Sequence, residues 1–243
     1  QVTVLFVDVK SSMELAESVD PEEWHHILER FFAILADGVH RFEGTVNQYT
    51  GDGIMALFGA PIAHEDHAQR ACCAALALRD ALRELSREVK REHGLEFATR
   101  IGINSGEVVV GRIGDDLRMD YTAQGHTVVL AQRMEALASD GSVYVGDATA
   151  ALARGYFVFD DLGEFKVKGA SAPVRAFELQ SVGAFRTRFD RSRARGLSKF
   201  VGRSKDMSVL DAALEQAFAG CGQVVGVVAE AAVQVARQRA GDP

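Results

Sequence analysis

The sequence contains little cysteine, and its three cysteines are poorly placed for cross-linking. Cys72 and Cys73 are neighbours in a predicted helix, where their side chains diverge, and Cys221 lies far away in sequence. This arrangement excludes a disulfide framework and provides no zinc-binding spacing. We therefore expect the protein to work in a reducing cytoplasm.

A long apolar run is also missing. The most apolar stretch near the C-terminus, GQVVGVVAEAAVQVA, is interrupted by Gln223, Glu230 and Gln234. These polar side chains exclude a membrane span, and no signal peptide precedes the first predicted strand. We expect a soluble protein with no membrane partner.

Positive charge is scarce over the chain as a whole. There are 27 Lys and Arg residues against 34 Asp and Glu residues, a net charge of -7. This balance disfavours nucleic-acid binding driven by overall charge. Small-molecule or protein partners suit the composition better.

The 243 residues do contain a regular succession of strand and helix patterns, and 47% of them are hydrophobic, enough for a sizeable core. The predicted elements are a buried strand at 2–7, a helix from Pro21 to about Phe42, a hairpin at 45–59, a helix from about Glu65 to Arg91, paired strands at 97–106 and 107–114, and a helix at 124–137. This order predicts an α+β fold, a ferredoxin-like βαββαβ sheet with helices packed on one face, plus extra C-terminal strands.

Two carboxylates stand at the ends of neighbouring predicted strands. Asp8 ends the first strand, and Asp52 lies at the tip of the hairpin between two glycines. If that strand lies beside the hairpin, both side chains can share divalent ions, and Mg²⁺ typically takes one or two carboxylates together with phosphate oxygens. The alternative is structural: Asp52 as a turn residue and Asp8 as a helix cap near Ser11. Spacing alone leaves both interpretations open.

A second acidic and histidine-rich stretch, His64-Glu65-Asp66-His67, has a metal-like composition. It follows Pro61 and precedes a long helical pattern. Acidic residues in the first turn of a helix complement the helix dipole. We interpret this stretch as a helix start.

Several motifs together resemble a known family. The stretches FVDVKSSMEL, YTGDGIMALFGAP, HEDHAQRA, RIGINSGEVVVGRIG and YTAQGHTVVLAQRME are similar, in order and spacing, to the catalytic domain of class III adenylyl and guanylyl cyclases. The resemblance covers residues 2 to about 180. It implies conversion of a nucleoside triphosphate to a 3',5'-cyclic monophosphate and pyrophosphate, at sites shared between the two domains of a dimer.

The resemblance also implies roles for individual residues. Asp8, Asp52 and the backbone of Val9 match the positions that hold two Mg²⁺ or Mn²⁺ ions, and Arg133 matches the arginine that stabilises the transition state. The implied phosphate-binding residues are Ser11, Ser12, Arg118 and Lys168.

Three positions depart from the family pattern. Gln48 replaces the usual purine-reading lysine, and Thr122 stands at its partner position, where many bacterial members also have threonine. Val129 replaces the ribose-positioning asparagine and cannot form a hydrogen bond, although His126 on the same predicted helix is a candidate substitute. Thr122 favours ATP as substrate, with GTP as the alternative.

The sequence predicts three segments: a nucleotide cyclase domain at 1–181, a basic linker at 182–199, and an incomplete beginning of an ATPase-like module at 200–243. The last segment resembles the entry to a signalling ATPase of the AAA or STAND type. Because no GxxxxGK[ST] motif follows its strand, we expect no ATP hydrolysis there.

The preferred hypothesis is a cytoplasmic, homodimeric, metal-dependent adenylate cyclase of low activity. The alternative is a degenerate cyclase-like module that binds nucleotide or dimerises to regulate a larger signalling protein. A heterodimer, in which another chain supplies the missing lysine and asparagine, also fits the sequence.

Overall fold

A computed structural model describes residues 1–113, 120–167, 173–183 and 204–226. The chain divides into two compact units, Gln1–Arg195 and Gly196–Pro243. The first unit contains strands β1 (Val2–Val9), β2 (Thr45–Tyr49), β3 (Gly53–Phe58), β4 (Thr99–Gly106), β5 (Val109–Ile113), β6 (Asp120–Gln124), β7 (Val143–Gly146), β8 (Phe157–Phe165) and β9 (Val174–Val182). Its helices are α1 (Ser12–Glu17), α2 (Pro21–Arg41), α3 (His67–His93), α4 (His126–Leu137) and α5 (Asp147–Ala153).

The second unit is described through helix α6 (Ser204–Phe218) and the residues that follow it. This helix exposes several apolar side chains, among them Val209, Leu214 and Phe218. In the described part of the chain, no helix is both long and apolar enough to cross a membrane.

Seven strands form one sheet in the order β2-β3-β1-β4-β7-β9-β8. β4 and β7 run parallel, and the other neighbouring strands are antiparallel. The α+β class, the strand-helix order of the first half and the extra C-terminal strands are all confirmed.

The sheet is covered on both faces. Helices α2, α3 and α5 bury the main core on one face, whose largest members include Leu5, Phe31, Phe58, Leu78 and Ile103. Helix α4 packs on the opposite face, where Ala131 meets Val4 and Phe6 of β1. The predicted packing on one face therefore holds for α2, α3 and α5 but not for α4. The reason lies in β1, whose uninterrupted apolar sequence is typical of a strand buried on both faces.

The predicted pairing of the two strands around Gly106 is wrong. β4 lies between β1 and β7, so both of its edges are already hydrogen-bonded. β5 pairs instead with β6 in a separate two-stranded sheet. Neighbours in sequence usually pair, but a central strand has no edge left for its successor.

The helix starts follow local chemistry. The Asp20 carboxylate accepts a hydrogen bond from the Glu22 amide at 2.9 Å, and Pro21 occupies the first turn of α2. The stretch His64–His67 leads into α3, but the helix begins only at His67, so Glu65 and Asp66 precede the first helical turn in which they were predicted to lie. Asp66 pairs with Arg70 at 2.8 Å, and buried His67 hydrogen-bonds the Thr3 hydroxyl at 2.7 Å.

Helix α4 approaches β4 closely at one glycine. A Cβ atom added at Gly102 would lie 2.0 Å from the Glu135 amide nitrogen and 2.5 Å from the Ala131 carbonyl oxygen. Both are backbone atoms, which cannot rotate away as the end of a side chain can. Gly102 thus sets the distance between α4 and the sheet.

We expect Gly102→Ala to destabilise the protein by about 1–3 kcal/mol, because the methyl group must push α4 away from β4. Urea denaturation followed by circular dichroism measures this change. An unchanged unfolding midpoint would show that α4 does not rest on Gly102.

Candidate functional site

The Gly51-Asp52-Gly53 turn lies against the end of β1. Gly53 is directly opposite Asp8 in the pairing of β1 with β3, and the Val9 amide donates to the Asp52 carbonyl at 3.0 Å. Gly51 has a φ of +97°, which glycine adopts without steric cost. A Cβ at Gly53 would lie 2.1 Å from the Val7 carbonyl oxygen. Both glycines are therefore needed to bring Asp52 beside Asp8.

The two carboxylates have few hydrogen-bond partners. Asp8 Oδ1 accepts from the Val9 amide at 2.8 Å, and Asp52 Oδ2 accepts from the Ser12 hydroxyl at 2.5 Å. Asp8 caps no helix, because α1 begins after Ser11 without a side-chain cap. Asp52 does occupy a turn, but its side chain points toward Ser12 and Asp8 rather than bonding its own turn.

Charge is crowded at this end of the sheet. The pKa of Asp8 is raised from its ordinary 3.8 to about 7, first by burial, then by the negative charge of Asp52 and a hydrogen bond to it, and then by the charge of Glu135. The Val9 amide opposes these effects. A cation between the two carboxylates would relieve the repulsion that raises this pKa.

This donor set fits a divalent ion that is bound together with phosphate. Two carboxylates and a backbone carbonyl offer hard oxygen ligands, and Mg²⁺ usually keeps several positions for water and phosphate oxygens. Within the described ranges, no group of three or more His, Cys, Asp or Glu side chains could hold a metal ion. The residues therefore suit a shared ion rather than an all-protein metal cage.

The loop after β1 is tightly wound beside Asp52. Ser11 has φ 53° and ψ 38°, a left-handed conformation that costs a residue with a side chain about 1–2 kcal/mol. The Lys10 amide donates to the Ala98 carbonyl at 2.9 Å, which helps to hold the loop in place. A cavity of about 270 Å³ adjoins this loop, lined by Ser12, Met13, Ala16, Trp24, Leu28, Gly51 and Asp52.

Helix α4 has an inner and an outer side. Its residues Thr127, Ala131, Met134 and Glu135 are buried. His126 and Val129 are exposed, Arg133 is half-buried, and their spacing of three and four residues places all three on the outer side. Because successive helix residues are about 100° apart, Arg133 and Glu135 point in nearly opposite directions. Arg133 is thus directed away from the sheet face that carries Asp8.

The two residues predicted to select the purine lie on strands that touch. Gln48 is exposed on β2, at an irregularity in its pairing with β3. Thr122 lies in the middle of β6, opposite Gly111, and β6 contacts β2. Two other predicted site residues, Arg118 and Lys168, lie outside the described residues.

One pair near the carboxylates was missed by the sequence analysis. Arg100 Nη2 lies 2.9 Å from Glu135 Oε1, and Glu135 is only 5% exposed. Burial raises the pKa of Glu135, while the positive charge of Arg100 opposes this effect. The available signal was an acid at a helix position whose spacing from Ala131 places it on the buried side.

A family model described as "Adenylate and Guanylate cyclase catalytic domain" matches residues 1–181. Among curated proteins, the chain is 36% identical over 185 residues to Adenylate cyclase 1 of Rhizobium meliloti (strain 1021). The match covers 75% of this chain but only 28% of that relative. The chain therefore spans little more than a quarter of the relative's length.

Two solved structures are equally similar in shape. The adenylyl cyclase CyaB from P. aeruginosa is 29% identical with a TM-score of 0.70, over 74% of this chain and 93% of that one. The guanylyl cyclase Cya2 is 33% identical with a TM-score of 0.70, over 75% and 93%. Because one is an adenylyl cyclase and the other a guanylyl cyclase, similarity of fold does not indicate which purine nucleotide is the substrate.

Without divalent ions, we expect Asp8→Asn to be more stable than the wild type above pH 7. Asp8 has a higher pKa folded than its ordinary value of 3.8, so its stabilising contribution is complete below that value and is lost as the pH rises to about 7. Asparagine does not ionise, so the variant does not lose stability in this way as the pH rises. Thermal unfolding in EDTA should show a difference that grows from about pH 4 to pH 7 and then levels off.

Asp161→Asn is a control for which the expected change in stability with pH has the opposite sign. The hydrogen bond from Arg175 lowers the pKa of Asp161, so this variant should lose stability relative to the wild type at neutral pH but not at low pH. If Asp8→Asn followed the same course as Asp161→Asn, the crowding of charge at Asp8 would be refuted.

Proposed function

The chain belongs to the family of adenylate and guanylate cyclase catalytic domains, and we propose that it converts ATP to 3',5'-cyclic AMP and pyrophosphate. The observation that carries the proposal is the juxtaposition of Asp8 and Asp52 at adjoining strand ends. Their partly buried, mutually repelling carboxylates make a site that favours a cation accompanied by phosphate. The named adenylate cyclase relative supports ATP over GTP.

Asp8, Asp52 and the Val9 carbonyl are the groups that would hold two Mg²⁺ or Mn²⁺ ions. Such ions supply charge neutralisation for the attacking ribose 3'-oxygen and for the departing pyrophosphate. The protein's own contribution is to keep these oxygens fixed and partly shielded from water. The tight loop through Ser11 and Ser12 lies beside them and offers backbone and hydroxyl donors to phosphate oxygens, as Arg118 and Lys168 are also proposed to do.

The outward direction of Arg133 supports a site shared between two copies. On its own chain, Arg133 lies on the far side of α4 from Glu135 and the sheet face of Asp8. In a symmetric dimer, each copy can present its outer α4 side to the carboxylates of the other. We propose a homodimer in which Arg133 of one copy stabilises the charge that develops on the phosphates at the other copy's site.

Purine selection is proposed to involve Gln48 and Thr122. An amide both donates and accepts hydrogen bonds, so Gln48 can pair with the adenine edge or the guanine edge, whereas lysine only donates. Selection by Gln48 alone is therefore weak. We propose ATP as the main substrate and GTP as a secondary one.

Activity is proposed to be low because of Val129. This residue stands at the ribose-positioning place on the outer side of α4 and is 38% exposed, but its side chain cannot form hydrogen bonds. Loss of one preorganised donor typically costs about 10²- to 10³-fold in rate. His126, three residues earlier on the same side, is positioned to replace part of this function.

Val129 also favours a second candidate function. A domain that keeps its metal carboxylates but lacks the ribose donor can bind nucleotide or dimerise without turnover, and so regulate a larger protein. The ATPase-like interpretation of residues 200–243 remains a prediction, and the family match ends at residue 181.

We expect the purified chain to form cyclic AMP from ATP in the presence of Mn²⁺, and to form less cyclic GMP from GTP. Asp52→Ala should abolish both products because one of the two carboxylates is lost. Chromatographic product analysis measures the rates. Nucleotide binding without any product would instead support the regulatory function.

We expect Asp8→Ala and Arg133→Ala to be inactive separately and partly active when mixed. If copies exchange freely, half of the dimers are mixed and each mixed dimer has one complete site of two, so about a quarter of the wild-type rate should return. Thermal unfolding should show a cooperative transition for both variants, so that loss of activity is not loss of fold. If the copies are shown to exchange but the mixture stays inactive, Arg133 acts in its own copy's site or in no site.

A further inference from the structure

A groove larger than the cavity beside Asp52 lies between helices α1 and α3. It has a volume of about 700 Å³ and is bordered by Lys10 and Ser11 after β1, by α1, by the C-terminal half of α3, and by the loops that precede β4 and β7. We call it the α1–α3 groove. Its volume falls within the range of about 300–1,000 Å³ that is typical of small-molecule sites.

Helix α1 separates the α1–α3 groove from the cavity beside Asp52. Ser12 and Ala16 line that cavity, whereas Glu14 and Leu15 line the groove. Because successive helix residues are about 100° apart, the two pairs lie on different sides of α1. The groove is therefore a site of its own, away from the proposed metal ligands.

The floor of the groove is apolar. Leu82 of α3 and Phe97 before β4 line it, and both belong to the main core with only 1% of their surface exposed. Leu15 of α1 is partly exposed and packs against the same core. A rigid floor with an apolar side chain beside it suits the apolar part of a ligand, because covering that side chain releases water.

Most of the charged side chains of the groove already have partners. The charged lining residues are Lys10, Arg83, Arg87, Glu14, Glu96 and Asp140. Lys10 Nζ lies 2.9 Å from Asp140 Oδ2. Arg87 pairs with Glu84, and Glu96 pairs with Lys90. Four of the six charges are therefore compensated close by.

The two remaining charges are opposite in sign. Arg83 Nη2 donates to the Gly141 carbonyl at 3.2 Å, and its ion-pair partner among the described carboxylates, Asp80, is 3.9 Å away. Within the ranges that the structure describes, Glu14 forms no ion pair. The groove thus offers one cation and one anion to a ligand.

We propose that the α1–α3 groove binds a zwitterionic small molecule with an apolar body, of the class of the apolar α-amino acids. Arg83 binds its carboxylate, Glu14 binds its ammonium group, and its apolar side chain lies on the floor beside Leu15. A guanidinium suits this role because its N–H donors match the geometry of a carboxylate. The proposal goes beyond the cyclase reaction and does not depend on it.

The alternative is a groove filled with water, in which Arg83 and Glu14 are only solvated. Arg83 is about half exposed, and exposed ion pairs usually contribute little to affinity. Binding in the proposed site therefore needs both charges and the apolar floor together. A ligand that lacks either charge should bind more weakly, and this requirement distinguishes the two interpretations.

The test compares three related molecules by ligand-observed NMR titration of the full chain. L-leucine carries both charges, isocaproate lacks its ammonium group, and isoamylamine lacks its carboxylate. We expect L-leucine to bind saturably at millimolar concentration or below, and the other two to bind about 10-fold more weakly, since each loses one charged hydrogen bond. The proposal is overturned if L-leucine, L-methionine and L-phenylalanine all fail to saturate, or if either single-charge molecule binds as tightly as L-leucine.

Two variants assign the charges to individual residues. Arg83→Met should weaken binding of L-leucine and isocaproate by about 10-fold and leave isoamylamine unchanged. Glu14→Gln should weaken L-leucine and isoamylamine to a similar extent and leave isocaproate unchanged. If both variants bind L-leucine as the wild type does, the molecule lies elsewhere and the proposal is wrong.

Each variant has a matched control. Glu17→Gln changes another carboxylate of α1 that does not line the groove, and Arg175→Met removes a guanidinium from β9. Both controls should bind L-leucine with the wild-type Kd. Equal losses in Glu17→Gln and Glu14→Gln would show an effect of net charge and would overturn the proposed site. Thermal unfolding of every variant separates loss of fold from loss of binding.

Failure of this proposal is distinguishable from failure of the proposed function, because the binding test uses no nucleotide, metal or turnover. Asp8→Ala, which we expect to be inactive as a cyclase, should bind L-leucine with the wild-type affinity. Loss of L-leucine binding in a folded Asp8→Ala chain would overturn the separation of the groove from the metal site.

Discussion

The site depends on the burial of β1 between β3 and β4. Every residue from Val2 to Val7 is buried, and antiparallel partners hold the strand on both edges. This pairing places Asp8 at the end of β1, opposite Gly53 of β3 on one side and Arg100 of β4 on the other. Shifting the register by one residue would turn Asp8 to the other face of the sheet.

From that placement follows an unusual charge balance. Asp8 and Asp52 are held close enough to repel each other, and Glu135 adds a third negative charge nearby. A folded protein does not usually place like charges together in a partly buried site unless something else compensates them. Arg100, opposite Asp8 in the pairing of β1 with β4, is paired with Glu135. We propose that a bound cation compensates the two aspartates. The repulsion between the two carboxylates, which costs stability, is relieved when a cation binds between them.

In the proposed dimer, helix α4 connects this chemistry to a second copy. Its inner side rests on β4 through Gly102 and carries Glu135 to Arg100, while its outer side carries Val129 and Arg133. The inner side of the helix thus packs on its own sheet, while its outer side is the one proposed to meet a second copy. Slow turnover is proposed because Val129, at the position proposed to orient the ribose, cannot form a hydrogen bond.

Local patterns in the sequence were enough for the family, the strand that ends at Asp8, the Asp20-Pro21 helix start and the turn that carries Asp52. Each of these depends on residues within a few positions of one another, or on motifs in a fixed order. Only the tertiary structure decided three other features: the strands that pair with β4, the sheet face on which α4 packs, and the Arg100–Glu135 pair. They depend on which strand edges are still unpaired and on contacts between residues far apart in sequence, and the short-range spacing of polar and apolar residues does not encode those choices.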